Sequence, residues 1–490
     1  MSGHKQGTPR TQSSLLPPSI EDYVEDYALV RVIDAFVESL DLAKLGFAKS
    51  IAAPTGRPPY PVQQLLALYL YGYWNRVRSS RRLEAECKRN LEVMWLMCEL
   101  APDHKTIAEF RRVNARAFEG ACAQFVQFLR EAALVGGPLP TVAVDGSKFK
   151  ANASKRQLVT AEQADKERKR IRRRIEEYLE QMDEADAAEA GEGEPTKEQI
   201  ERALERLRKR DQALEQAEHK LAEQARGGEP GGTPRAGLVD PDCVMLKGAS
   251  GARLAGYNVQ QAVDTGHHLV IAHEVTTRAN DHTSLEPTAV QAQQALQAQA
   301  MVVVADTGFM NGKQTLACEQ RGMIPAVPMQ QPSHTGDTSL FAKTMFAYDP
   351  HTDTYRCPAG ALLERYKRST RSQSDYYTSL ACAGCALKAP CTHGKRREIA
   401  RSWYAQAIER AHQRVQSNPE LMRLRGASAE HPFANLKAML GGGFLVRTLS
   451  KVKGEMALAV LTYNLKRTFN VLGGEALLHR LRTSQAFKPA

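Results

Sequence analysis

At 490 residues with a formal net charge of +11, the chain is too long for one hydrophobic core and basic enough to favour an acidic partner. Its hydrophobic content of 42% and charged content of 25% are ordinary for a folded protein, and no stretch has the roughly 20 apolar residues that span a bilayer. The first residues lack the apolar block of a secretory signal, so we expect a cytoplasmic protein without a membrane partner.

The positive charge is concentrated at the C-terminal end. Residues 401–490 contain 14 Lys/Arg and only 5 Asp/Glu. Such a block favours a polyanion, most often nucleic acid, although many mildly basic cytosolic proteins have no such partner.

The N-terminal quarter divides into a polar tail, 1–19, and a segment, 20–136, whose apolar residues recur at three- and four-residue intervals, as in helices. Asp103 or Thr106 could cap one of these helices. Arginines stand close to aromatic residues around Trp74, so the segment is either a duplex DNA-binding domain or a helical bundle with a solvated basic face. These arginines are Arg76, Arg78, Arg81 and Arg82.

From residue 137 the pattern becomes typical of strands. β-Branched runs occupy 141–144, 256–264, 267–276 and 300–308, with an Ala/Gln-rich helix over 284–299. We therefore predict an α/β domain with a mixed sheet, built from 137–156 and 237–334 and completed by a helical part at 401–472. Residues 473–490 are expected to form a tail.

Two insertions interrupt this domain. The first, 157–236, is highly charged, and its apolar residues form two heptad seams separated by a Gly-rich turn. The simplest structure is an antiparallel helical hairpin, which serves either as a solvated spacer or as a contact surface for DNA or a second subunit.

The second insertion, 335–400, carries four of the nine cysteines: Cys357, Cys382, Cys385 and Cys391. The Cys-x-x-Cys pair could bind one zinc ion, with the other two cysteines completing a tetrahedral structural site. Alternatively, four reduced cysteines pack a small β-rich subdomain.

Two aspartates follow strand-like runs. Asp145 comes directly after "TVAV", and Asp306 comes directly after "MVVVA". Adjacent strand ends in an α/β domain bring such side chains close together, and two carboxylates so placed repel unless a cation lies between them. Mg²⁺ meets that need because it prefers carboxylate oxygens.

A third acid is expected from the C-terminal segment, which reads as helix, glycine break and helix. Glu430 and Lys437 are seven residues, or two helical turns, apart and share one face. An acid for a metal and a lysine for a phosphate suit a phosphodiester substrate, whereas a merely solvated pair is the alternative.

The ordered set of motifs resembles bacterial insertion-sequence transposases of the DDE type. The motifs are "VAVDGSKFKANAS", "GYNVQQAVD", "VTTRANDHTSL", "VVVADTGFMNG", "YRCPAG", "CAGCALKAPC" and "AEHPFANLKAMLGGGFLVRTLSKVKGEMALAVLTYNLKR". The resemblance implies a ribonuclease H-like core in which Asp145, Asp306 and Glu430 are the catalytic triad. Arg425 lies one position from the family's usual arginine, and Leu421 or Met422 stands in place of its tyrosine.

The family's chemistry implies two Mg²⁺ or Mn²⁺ ions, cleavage at the element's terminal inverted repeats, and strand transfer into target DNA by at least a homodimer. Phosphates would be neutralised by Lys437, Arg425, Arg447, Lys451 and Lys453. Two other functions stay open: a transposase-derived protein that binds DNA without cutting it, and a metal-dependent nuclease without strand transfer.

Overall fold

The computed structural model describes residues 19–51, 58–187, 197–226, 234–248, 251–329 and 340–487. The expected N-terminal tail and the turn between the two heptad seams lie almost wholly outside these residues.

The N-terminal segment is helical, as its periodicity predicts. Its helices are α1 (Leu29–Ser39), α2 (Val62–Trp74), α3 (Ser80–Arg89), α4 (Leu91–Leu96), α5 (His104–Val113) and α6 (Ala115–Glu131). Asp103 is the cap of α5, since its side chain accepts hydrogen bonds from the backbone N–H groups of Lys105 and Thr106. Of the two predicted caps, the structure therefore selects the aspartate.

The first insertion forms the expected helical hairpin. After β1 (Thr141–Lys150) come β2 (Leu158–Val159), α7 (Ala161–Ala187), α8 (Lys197–Arg226) and β3 (Ala236–Gly237). The β2 and β3 strands pair at its base. Arg168 bonds to Asp211 and Glu218, and buried apolar residues such as Ile171 and Leu214 form a small core of their own.

The central sheet combines parallel and antiparallel strands. The chain continues through β4 (Val244–Lys247), β5 (Arg253–Asp264), β6 (Val270–Thr276), α9 (Leu285–Leu296), β7 (Met301–Ala305), α10 (Gly312–Gln320) and β8 (Met323–Ala326). The strand order is β4-β5-β1-β7-β8, with β6 also paired to β5. β1, β7 and β8 are parallel, whereas β5 is antiparallel to its neighbours. The predicted α/β core with a mixed sheet is confirmed.

The second insertion contains a small antiparallel sheet. Its described strands are β9 (Ala347–Asp349), β10 (Thr354–Arg356), β11 (Leu362–Ser369), β12 (Ser374–Thr378) and β13 (Ile399–Ser402), paired in the order β13-β12-β11-β10-β9. Their buried side chains form a separate apolar cluster around Phe346, Tyr355 and Tyr377.

The C-terminal part is helical: α11 (Ala405–Ser417), α12 (Glu420–Met439), α13 (Leu449–Leu472) and α14 (Gly474–Thr483). The glycine break between α12 and α13 is present, and Gly442 there has a φ of 83°. The expectation of a tail at 473–490 is wrong, because α14 buries Leu477, Leu478 and Leu481.

The N-terminal helices share one hydrophobic core with the C-terminal helices. At the crossing of α6 and α13, a Cβ on Gly454 would lie 2.4 Å from the Cα of Ala115, so the close approach requires glycine. Next to it, the fully buried Glu455 accepts hydrogen bonds from Tyr73, Leu445 and Val446. Helices from opposite ends of the chain are thus joined by packing and by polar contacts.

Candidate active site

Two aspartates meet at adjacent strands of the central sheet. Val144 of β1 is in register with Ala305 of β7, so Asp145 and Asp306 are the next residues on two neighbouring parallel strands. Asp306 caps a short 3₁₀ helix and accepts the N–H of Gly308 at 2.8 Å. The prediction that β1 ends at Asp145 is wrong. Only its pairing with β7 ends there, because β5 continues to pair with β1 as far as Lys150.

A single guanidinium lies between the two carboxylates. Nη2 of Arg425, on α12, is 2.7 Å from Oδ1 of Asp145 and 3.1 Å from Oδ2 of Asp306. The arginine side chain is only 16% exposed, and its buried Nε has no hydrogen-bond partner. One cationic group thus compensates two acids, which leaves the site with an excess of negative charge.

The Asp145 carboxyl group holds its proton more tightly than a solvated aspartate. Burial raises its pKa to about 6, and the negative charges of Asp306 and Asp281 act in the same direction. Arg425 and the N–H of Gly146, 2.8 Å from Oδ1, oppose this increase.

The third predicted acid does not join this pair. Glu430 is exposed on α12, and no hydrogen bond or ion pair links it to Asp145 or Asp306 among the described residues. The preceding residue, Ala429, is nearer the sheet, since its carbonyl accepts Nε2 of Gln261 at 3.0 Å. Within the described part of the chain, no three His, Cys, Asp or Glu side chains are grouped so as to hold a metal ion.

Apart from Arg425, the basic residues predicted to bind DNA differ in exposure and fall into three sets. Arg78 is 12% exposed, lies 3.3 Å from Glu455 and donates to the carbonyl of Gly443, so it is committed to the protein interior. Half-buried Lys451 and Lys453 lie at the start of α13. The exposed residues of this group are Arg76, Arg81, Arg82, Lys437 and Arg447.

A fourth acidic residue near the site was not singled out by sequence reasoning. Asp281 lies in the loop between β6 and α9, where its Oδ1 accepts Nδ2 of Asn258 at 2.7 Å and Nε2 of Gln260 at 2.6 Å. The motif "VTTRANDHTSL" contains this aspartate, but a loop acid has no periodicity that marks it.

The four clustered cysteines line one small cavity of the β9–β13 subdomain, together with apolar side chains such as Phe346 and Leu363. All four are free thiols. Burial raises the pKa of Cys391. They are nevertheless not grouped as ligands of one ion in the described structure, so a structural zinc site stays a prediction.

Among the described residues, we find no helix with the length and apolar character needed to cross a membrane.

Comparison with known proteins gives two family matches. Residues 18–113 match the family described as "Transposase domain (DUF772)", and residues 231–465 match the "Transposase DDE domain". No curated protein matches the chain. A solved structure, described as the piggyBac transposase synaptic complex with hairpin DNA, is similar with 8% identity and a TM-score of 0.30, covering 95% of this chain and 81% of that chain.

Proposed function

The chain belongs to the DDE transposases of the insertion-sequence type, and we propose that it cleaves the ends of an insertion sequence and joins them to target DNA. The observation that carries this proposal is the meeting of Asp145 and Asp306 around one cationic group. Two carboxylates held this way suit phosphodiester chemistry, in which charge on oxygen must be compensated.

The aspartates suit the divalent ions that this family generally uses. One guanidinium nitrogen is within 3.1 Å of both carboxylates, so a single small cation at that position could contact both. Carboxylate oxygens are the ligands that Mg²⁺ and Mn²⁺ prefer. Two such ions, when bound, would activate the attacking hydroxyl or water and stabilise the leaving oxygen.

Arg425 has two roles in this proposal. In the described arrangement, its guanidinium holds the aspartates together and offsets their repulsion. With a divalent cation held by the aspartates instead, the guanidinium would be free to neutralise a phosphate of the DNA substrate.

Glu430 remains our proposed third acidic ligand. It is exposed one residue after Ala429, which touches Gln261 directly across from Asp145 in the sheet. In this proposal its carboxylate joins the pair when DNA and the cations bind.

The proposed partner is double-stranded DNA, both the terminal inverted repeats and the target, held by a homodimer. Lys437 is on α12, as Arg425 is, and Arg447 is in the loop that follows, so DNA bound along this segment would run toward the acidic site. The proposed contacts are Lys437, Arg447, Lys451 and Lys453, with Arg76, Arg81 and Arg82 on the N-terminal helices.

Labelled element ends incubated with the protein and Mg²⁺ test this function. Joined products are the expected result. Cleavage without joining would assign a nuclease, and binding without cleavage would assign a transposase-derived DNA-binding protein.

For the cysteines we propose one structural zinc ion, based on four thiols around one cavity. Metal analysis of the purified protein should find about one zinc per chain, and Cys382→Ser should lose it whereas Cys98→Ser, at an isolated exposed cysteine, should not. Absence of zinc from the unmodified protein would leave the cysteines as packing residues of the small sheet.

A further inference from the structure

A groove of about 620 Å³ at the base of the helical hairpin is lined by basic residues from three segments of the first insertion and the chain before it. These residues are Lys155, Arg156, Lys166, Arg170 and Arg235. Leu158 and Val159 of β2 also line the groove, and both are buried. We name this feature the basic groove.

The basic groove lies where β2 pairs with β3. Its first two cations are on a short 3₁₀ helix, Lys155–Gln157, whose backbone is fixed by a capping box with Ser154. Lys166 and Arg170 are four residues apart on α7, so they lie on the same side of that helix, about 6 Å apart along its axis. The fifth cation directly precedes β3. Cations from separate segments therefore converge on one groove.

The positive charge of the basic groove is not compensated by the protein. None of its five cations makes an ion pair or a side-chain hydrogen bond within the described part of the chain. The acid among its described lining residues, Glu167, accepts a hydrogen bond at 2.9 Å from Arg210, which lies outside the groove. The neighbouring Arg168 of α7, in contrast, is paired with Asp211 and Glu218. An anion can therefore bind in the groove without displacing a partner that is already there.

The basic groove continues the surface proposed to bind DNA near the acidic site. The loop after α12 runs beside the end of β1, where the N–H of Phe444 donates to the carbonyl of Lys150 at 2.9 Å. Farther along this loop, Nε of Arg447 donates to the carbonyl of Asn152 at 3.2 Å. Lys155 is three residues after Asn152, a reach of at most about 10 Å. DNA that contacts the exposed Arg447 can therefore continue along the protein surface into the groove.

An extended polyanion suits this arrangement of charges. Four of the five cations are exposed, and they are spread along a surface rather than gathered around one point. The phosphates of duplex DNA are likewise distributed along a line, and their contacts with lysine and arginine supply affinity that does not depend on sequence. We propose that the basic groove binds the phosphate backbone of duplex DNA that extends beyond the active site. The inference rests on the proposed function, since the DNA reaches the groove along the loop that follows α12.

The test is the binding of the full chain to a labelled random-sequence duplex of about three helical turns, measured by fluorescence anisotropy. Divalent ions are left out so that binding is measured without cleavage. Arg170→Glu reverses one charge in the groove. We expect its affinity for the duplex to fall about tenfold, and the slope of log affinity against log salt concentration to decrease by about one.

Arg172→Glu is the matched control, because it makes the same change of charge on the same helix. Arg172 is exposed and does not line the groove, and the buried Ile171 lies between it and Arg170, so the two arginines are on opposite sides of α7. The affinity of Arg172→Glu should change by less than about twofold, since salt screens charges at that separation. Equal losses in the two variants would reflect net charge alone and would overturn the inference.

A double variant, Lys155→Gln with Arg156→Gln, tests the other side of the groove. Both side chains are exposed, so the melting temperature should be unchanged, whereas the salt slope should decrease by about two. Full affinity in this variant would contradict the inference. The inference also fails if Arg170→Glu leaves duplex affinity unchanged but lowers the mass of the protein in light scattering, because the groove then contacts a second copy of the chain.

The same variants separate this inference from the transposase proposal. If Arg170→Glu binds, cleaves and joins element ends as well as the unmodified protein does, the inference fails while the proposed function stands. If the unmodified protein neither cuts nor joins element ends, but Arg170→Glu loses duplex affinity and Arg172→Glu does not, the proposed function fails while the DNA-binding groove stands.

Discussion

Two groups of acids and arginines in this molecule have opposite balances of charge. The buried carboxylate of Glu455 forms ion pairs with two arginines, Arg78 at 3.3 Å and Arg111 at 3.9 Å. It also accepts hydrogen bonds from a tyrosine and from two backbone N–H groups. At the candidate active site, two carboxylates share one arginine.

The difference separates a structural role from a chemical one. A carboxylate surrounded by donors has no capacity for another cation, and it serves to join the N-terminal helices to α13. A pair of carboxylates with one guanidinium retains negative charge, partly exposed at Asp306, where the side chain is 46% accessible. Only the second group can accept a divalent ion.

The largest effect is expected from substitutions in the acidic pair of the candidate active site. Asp145→Asn and Asp306→Asn should each reduce DNA cleavage about a thousandfold or more, since several kcal/mol of transition-state stabilisation is removed. Binding to element ends, measured by gel shift, should be retained in both. Normal cleavage by either variant would remove that residue from the site.

Substitution of Glu455 should lower the unfolding free energy rather than the rate of DNA cleavage. Glu455→Ala leaves Arg78 and Arg111 buried without their acid and should cost about 3–5 kcal/mol of unfolding free energy. Glu420→Gln, which removes an exposed pair with Arg423 on α12, should cost about 1 kcal/mol or less in the same urea titration. Equal losses in the two variants would contradict the structural role of Glu455.

Substitution of the shared arginine tests how the charge balance of the candidate active site affects cation binding. Arg425→Gln removes the positive charge between the aspartates, so Mn²⁺ should bind about tenfold more tightly without DNA. Cleavage should nevertheless decrease, because a phosphate contact is lost. The control is Arg423→Gln, at an exposed position on the same helix, which should leave Mn²⁺ affinity unchanged. Weaker Mn²⁺ binding by Arg425→Gln would mean that Arg425 preorganises the two aspartates rather than competes with the cation.

The smallest expected effect is the pH dependence of stability. Asp145 faces Arg425, Asp306 and Asp281, and its pKa is raised to about 6 from an ordinary value of 3.8. Because the folded protein binds this proton more tightly than the unfolded chain, ionisation of Asp145 lowers stability above pH 6, and the loss is recovered as the pH falls from 6 toward 4. Asp145→Asn should lack this recovery. Its melting temperature relative to the unmodified protein should therefore decrease by a few degrees between pH 7 and pH 5.

The sequence predicts the parts of the site that depend on strand order. Asp145 and Asp306 follow β-branched runs, and the parallel pairing of β1 with β7 brings them together. The length of β1 beyond Asp145 was not predicted, because it depends on β5, a strand more than 100 residues later.

Side-chain partners are harder to predict because they are set by tertiary packing. Arg78 has the same local pattern as Arg81 and Arg82, yet it turns inward to an acid that is 377 residues away. Asp281 is recognised as part of this region only from its hydrogen bonds with Asn258 and Gln260 of β5. Helix spacing alone places Glu430 and Lys437 on one face, but the rotation of α12 about its axis determines which residue meets the sheet.

The junction of α6 with α13 bears on how such proteins could exchange parts during evolution. Gly454 has no room for a Cβ against Ala115 at that crossing, and Glu455 is paired with arginines supplied by the first quarter of the chain. A recombinant whose N-terminal helices lacked Arg78 and Arg111 would leave Glu455 buried without a counterpart. Exchange of N-terminal helices is therefore expected to give a stable protein only when both arginines are transferred with them.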